Sequence, residues 1–210
     1  VAALILFNAP TARADTIDTE SRQAVADAYL DWLVPALKTP SSWKGNPKKC
    51  VDGKGEPQRQ PSSAVGDEST ASRAATFAAI NYYRAMAGLR PVTENPEYSE
   101  AARQAALIML ANDDISHYPD TKWECWSRQG ADAAARSNIA ISWGNSDGAA
   151  ARSIALYMDD QGPDNLEVGH RRWLLDSSAA EFGTGSTSRT NAVLVIPDEG
   201  APQAGRHEAE

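Results

Sequence analysis

At 210 residues and 42% hydrophobic content, the chain has the length of one domain with flanking segments and enough apolar material for a real core. Its formal net charge of -8, with no basic run and no interleaving of basic and aromatic residues, argues against a nucleic-acid or anionic-membrane partner.

The opening "VAALILFNAPTARA", residues 1–14, is an apolar run that ends in small residues around an alanine-x-alanine site. It resembles the tail of a secretory signal peptide, so the mature chain is expected to begin near Asp15. Removing that segment takes away one charge, Arg13, and moves the net charge from -8 to -9. Nothing else approaches the roughly 20 apolar residues that span a bilayer, and we expect an exported monomer without a membrane span. Two cysteines, Cys50 and Cys125, fit one disulfide in such a compartment.

In "TESRQAVADAYLDWLVPAL", Val25, Ala28, Tyr29, Trp32, Leu33 and Ala36 recur at helical spacing and predict an amphipathic helix. From Thr39 to Asp67 the chain is rich in Pro, Ser, Lys and Gly and reads as a long exposed connection, with the main domain expected over 68–197. The next helix is expected from Thr70 to Ala87, stopped by Gly88, with Phe77, Ile80 and Ala87 on its core face. Asn81 and Arg84 share that face and require hydrogen-bond partners. A helix after "NPEYSE" lines up Ala102, Ala105, Ala106, Met109 and Leu110, small residues that allow close approach to a neighbour. "NDDISHYPD" reads as loop, "RSNIAISW" as a short strand, "GNSDG" as a turn and "AAARSIALYM" as a helix carrying Ala150, Ile154, Tyr157 and Met158. "NAVLVIP" is a further strand, and the tail 198–210 is polar. Helices followed by strands, without repeating strand-helix-strand units, predict an α+β layered domain.

Three constellations could carry chemistry. "GNSDG" matches the nucleophile pattern G-x-S-x-G at Ser146, with Asp159, Asp160 or Asp164 and His170 to complete a triad. Ser146 could equally cap the following helix, and no glycine-rich oxyanion loop precedes it. His117 and His170 are the histidines inside the predicted fold, His207 lying in the tail, and carboxylates flank both. Asp113, Asp114 and Asp120 lie near the first; Asp159, Asp160, Asp164 and Glu167 precede the second. No H-E-x-x-H spacing occurs, and each histidine could also be an ordinary hydrogen-bonded residue. Arg171 and Arg172 can pair with the acidic run or face solvent, while Trp173, Leu174 and Leu175 anchor the segment in the core.

"ATFAAINYYRAMAGLRPVTENPEYSEAARQAALIMLANDDISHYP", "SNIAISW", "NLEVGHRRWLL" and "EFGTGSTS" together resemble the CAP superfamily of cysteine-rich secretory, antigen five and pathogenesis-related proteins, in the form of a bacterial exported member. The resemblance implies a three-layer α/β/α sandwich with a mostly antiparallel central sheet and an open cleft. In the family that cleft often holds two histidines and two acidic residues, sometimes with a divalent cation. His117 falls on the first histidine and His170 on the second, with Trp173 and Leu174 expected behind it. Ser137 stands where typical members have glutamate, Asn138 is kept, and the second acidic position falls on Asp159 or Asp160. A serine cannot supply a carboxylate's charge, so a site for zinc, magnesium or calcium at His117 and His170 should be weakened or lost. Arg171 and Arg172 replace uncharged family residues and point to an anionic ligand or an internal ion pair.

The resulting expectation is a non-catalytic exported module whose cleft, lined by His117, Ser137, Asn138, Asp160, His170 and Arg171, binds a small molecule, lipid or protein. The alternative is a hydrolase in which His117 or His170 acts as general base, assisted by Asp160 or a metal. A purely structural protein would instead fill the cleft with side chains. The binding and hydrolase readings both need an open cleft, and we expect the two imidazoles to face it.

Overall fold

The structure is a computed structural model that describes residues 17–50, 62–142 and 149–198. The leader-like segment, the "GNSDG" turn with Ser146, and the tail with His207 lie outside the described residues. The elements run α1 (Arg22–Ala28), a π turn (Tyr29–Leu33), α2 (Val34–Lys38), α3 (Ser62–Val65), α4 (Thr70–Met86), β1 (Thr93–Glu94), α5 (Pro96–Asn112), α6 (Arg128–Ala135), β2 (Ser137–Ile141), α7 (Ala151–Asp159), α8 (Gly169–Leu174), β3 (Glu181–Ser186) and β4 (Thr190–Leu194).

The strands form one sheet in the order β1-β3-β4-β2. The sheet is mixed. β1 pairs parallel with β3, while β3–β4 and β4–β2 are antiparallel. Because side chains alternate across a strand, the residues of β4 and its continuation divide between two cores. Ala192 and Leu194 join Tyr98, Ala102, Ala105 and Ala106 of α5, together with Ala133 and Ala134 of α6. Val193 and Val195 face the other way, against Ile80 of α4, Ile154 and Tyr157 of α7, and Leu174 of α8. Helices therefore cover both faces, and the α+β sandwich has three layers.

Small residues set the spacing of one layer. A Cβ on Gly183 would lie 2.2 Å from the carbonyl carbon of Tyr98, and one on Gly185 would lie 2.2 Å from the amide of Arg103. The backbone of β3 thus rests directly on α5, which presents alanines at that face. On the opposite face the polar pair foreseen on α4 is fully bonded. Asn81 both donates to the Val92 carbonyl and accepts from the Val92 amide. The guanidinium of Arg84, wholly buried, donates to the carbonyls of Arg90, Leu174, Asp176 and Ala179. Burial pulls its pKa down to about 10 against the opposing charge of Asp176, and the Phe182 ring lies 5.9 Å beneath it.

The N-terminal stretch departs from expectation in two places. Its helical face breaks at the π turn, where Tyr29 is 47% exposed instead of buried, because a wider turn rotates the residues around it. Ala87, expected in the core, caps α4 and is exposed. The long connection, moreover, is built into the fold. Residues 42–46 pair by backbone hydrogen bonds with 64–69, and the Trp43 indole donates to the Val65 carbonyl at 2.7 Å. Cys50 forms a disulfide with Cys125, both fully buried with Ala64 and Leu107. Closing 75 residues of sequence separation contributes about 4 kcal/mol through the unfolded chain. Glu68 ends this segment wholly buried, accepting from the Ser72 hydroxyl on α4 and from the Ser186 amide at the end of β3.

Candidate functional site

His117 follows α5 in a loop, and a hydrogen bond orients its ring. Its Nδ1 lies 2.8 Å from the Ala134 carbonyl near the end of α6. His170 is the second residue of α8, which starts after Val168 in a left-handed conformation (φ 49°) that a β-branched residue rarely adopts. Its Nδ1 lies 2.7 Å from Asp160 Oδ1, a carboxylate with no exposed side-chain surface. A carbonyl oxygen and a carboxylate can only accept, so both Nδ1 atoms carry the proton. In the neutral ring each Nε2 is then a lone pair without a hydrogen.

Both imidazoles line one cleft of about 400 Å³, together with Ser137 and Asn138 from β2. Asn138 donates its side-chain amide to the His170 carbonyl at 2.9 Å, which ties β2 to α8. The Ser137 hydroxyl donates to the Ala133 carbonyl at 2.7 Å, so its hydrogen points to the end of α6. Between the two acids left open by the sequence, Asp160 is the one beneath His170. Its second oxygen accepts from the Arg171 amide at 3.3 Å.

Arg171 holds the end of α7. Its Nε and Nη2 donate to the carbonyls of Met158 and Asp159 at 2.6 and 3.0 Å, closing the end of α7, and it is not among the cleft's lining residues. Trp173 also departs from expectation: Leu174 is buried as foreseen, but Trp173 is 41% exposed and lines the cleft one turn after His170.

Sequence reasoning missed several participants. Tyr157 stacks on His170 with ring centroids 5.4 Å apart, and its hydroxyl donates to Asn191 Oδ1 at 2.9 Å. Complete burial holds its phenol well above its ordinary pKa, so it remains a neutral donor. Tyr118, beside His117, is 83% exposed at the mouth of the cleft. Arg136 and Glu167 line it as well, Arg136 lying 2.7 Å from Asp198. Tyr157 was legible as a buried helix position, but only the tertiary fold carries it under a histidine. Among the described residues no three His, Cys, Asp or Glu side chains are grouped so as to hold a metal ion.

A three-layer α/β/α sandwich with an open cleft between the end of α6, the start of β2 and α8 defines the class of molecule. The family model for the cysteine-rich secretory protein family, CAP, matches residues 77–195, and the chain belongs to that family. Neither the curated proteins nor the solved structures contain a significant match to it. The matched span holds His117, Ser137, Asn138, Asp160 and His170.

Proposed function

We propose that this chain is an exported binding module whose ligand enters the cleft between His117 and His170. One observation carries the reading: each imidazole is anchored through Nδ1, by Ala134 and by Asp160, both rings line the same cleft, and the neutral form of each keeps its lone pair on Nε2. The buried disulfide and the leader-like opening support export. Heteronuclear NMR of the protein against pooled small polar and apolar fragments tests it. Shifts should cluster at His117, Asn138 and His170 and disappear in the His117→Ala, His170→Ala double variant. Shifts scattered over the surface would contradict the reading. Calorimetric titration of the same two proteins with zinc, magnesium and calcium tests the cation arm, with heat confined to the wild type as the sign of a two-histidine site.

A hydrolytic reading is favoured by the carboxylate-imidazole pair. Asp160 holds His170 in the tautomer whose Nε2 can accept a proton from water. Fluorogenic ester and peptide substrates check this, since turnover that survives His170→Ala would be unrelated to the cleft.

A further inference from the structure

The charge inventory of the cleft narrows what it can take, provided that the binding reading above holds. His117 and His170, whose Nδ1 atoms are already engaged and whose neutral rings keep a lone pair on Nε2, line it together with the exposed Glu167. The cation that lines it, Arg136, is already 2.7 Å from Asp198, and the Nε and Nη2 donors of Arg171 are engaged by carbonyls of α7. Among the described lining residues an incoming anion therefore finds no cation without a carboxylate partner, and it meets both Glu167 and a net charge of -8. A ligand must instead bring hydrogen-bond donors, and a positive charge is favoured.

Shape points the same way. Tyr118 beside His117 and Trp173 one turn after His170 both line the cleft and are 83% and 41% exposed as residues. Aromatic faces next to lone-pair acceptors are the surroundings in which proteins hold organic cations. A bare metal ion needs three or more ligands drawn around one point, a grouping absent among the described residues. An ammonium needs only one or two acceptors at its nitrogen, water taking the remaining N–H, and its methylenes can cover the rings within about 400 Å³.

We infer that the cleft recognises an aliphatic primary ammonium, a free alkylamine or a lysine side chain, with its positive charge toward Glu167, its N–H donors divided between cleft acceptors and water, and its stem along Trp173 and Tyr118. n-Butylammonium and a capped glycine-lysine-glycine peptide are the probes, with butyrate and n-butanol as controls, followed through the Trp173 indole and His170 ring signals. Both amines should bind saturably, butyrate should not, and Glu167→Gln should weaken amine binding about tenfold. Equal binding of the two amines assigns a small-molecule source, and binding of the peptide alone assigns a protein partner; either result upholds the inference. Binding of n-butanol as strong as that of the amine, or a Glu167→Gln variant that binds the amine undiminished, overturns the ammonium while leaving the cleft a binding site. Failure of every probe to move cleft signals overturns the ammonium, and the fragment screen described above then decides the binding reading separately.

Discussion

Asp160 has two donors to satisfy, the His170 ring and the Arg171 amide, and as a carboxylate it has an oxygen for each. Asparagine at that position would have only one oxygen. If that oxygen keeps the Arg171 amide, the side-chain nitrogen meets Nδ1 and forces the proton to Nε2, removing the lone pair there. Asp160→Asn should therefore leave the fold intact yet convert His170 partly or wholly to the Nε2–H tautomer. Long-range proton-nitrogen correlation of the imidazole reads this directly, and an unchanged tautomer would show that Asp160 is not what fixes it. His117 serves as the internal reference, because its partner is the main-chain Ala134 carbonyl and should not respond.

At the scale of elements, a strand and a helix come into direct backbone contact. Gly183 on β3 and the start of α5 meet backbone to backbone, and a methyl group there would have to displace the Tyr98 carbonyl carbon 2.2 Å away. Gly183→Ala should cost about 3 kcal/mol in chemical unfolding, because main chain cannot yield as a side-chain tip can. Gly169→Ala is the counterpart: nothing lies within 4 Å of its added Cβ, so the cost should stay within about 0.5 kcal/mol. Equal costs at the two positions would refute the close-packing explanation. These contacts also show why some elements could be read from sequence and others could not. The Asn81 and Arg84 pair was legible because two polar groups on an apolar helical stripe must find partners, and the alanine face of α5 announced a close neighbour. The incorporation of the Thr39–Asp67 segment was not, since it depends on the Cys50–Cys125 bridge and on the Trp43 indole reaching Val65, contacts without local periodicity. α6 was overlooked because "RQGADAAA" contains a glycine and is short, though Ser127 caps it by accepting from the Gly130 amide. In the cleft, motif resemblance located His117 and His170, whereas the choice of Asp160, the Tyr157 stack and the exposure of Trp173 follow from the turn geometry around α7 and α8.

For the molecule as a whole, the most consequential titratable group lies away from the cleft. Glu68 joins the start of α4 to the end of β3, and the Ser186 hydroxyl beside it accepts from the Ala150 amide next to α7 and from the Asn191 side chain on β4. One buried carboxyl thus sits where four elements meet. Burial raises its pKa from 4.5 to about 7, outweighing the lowering effect of the Ser72 and Ser186 hydrogen bonds and of the Arg73 charge. Below pH 4.5 folded and unfolded chains both hold the proton, and the group's contribution to stability is fully present. Between about 4.5 and 7 the unfolded chain releases the proton while the folded one keeps it, so stability falls as pH rises, by about 3 kcal/mol in all. Glu68→Gln removes this titration. Its amide oxygen can still accept from the Ser186 N–H, and its amide nitrogen can donate to the Ser72 hydroxyl. Denaturant unfolding at a series of pH values should therefore show the variant gaining on the wild type through this window and holding a constant advantage above it. Other carboxylates titrate in both proteins and cancel in the difference. Parallel pH profiles for the two proteins would mean that Glu68 ionises in the fold as readily as in water, and that the junction of α4, β3, α7 and β4 is insensitive to its charge.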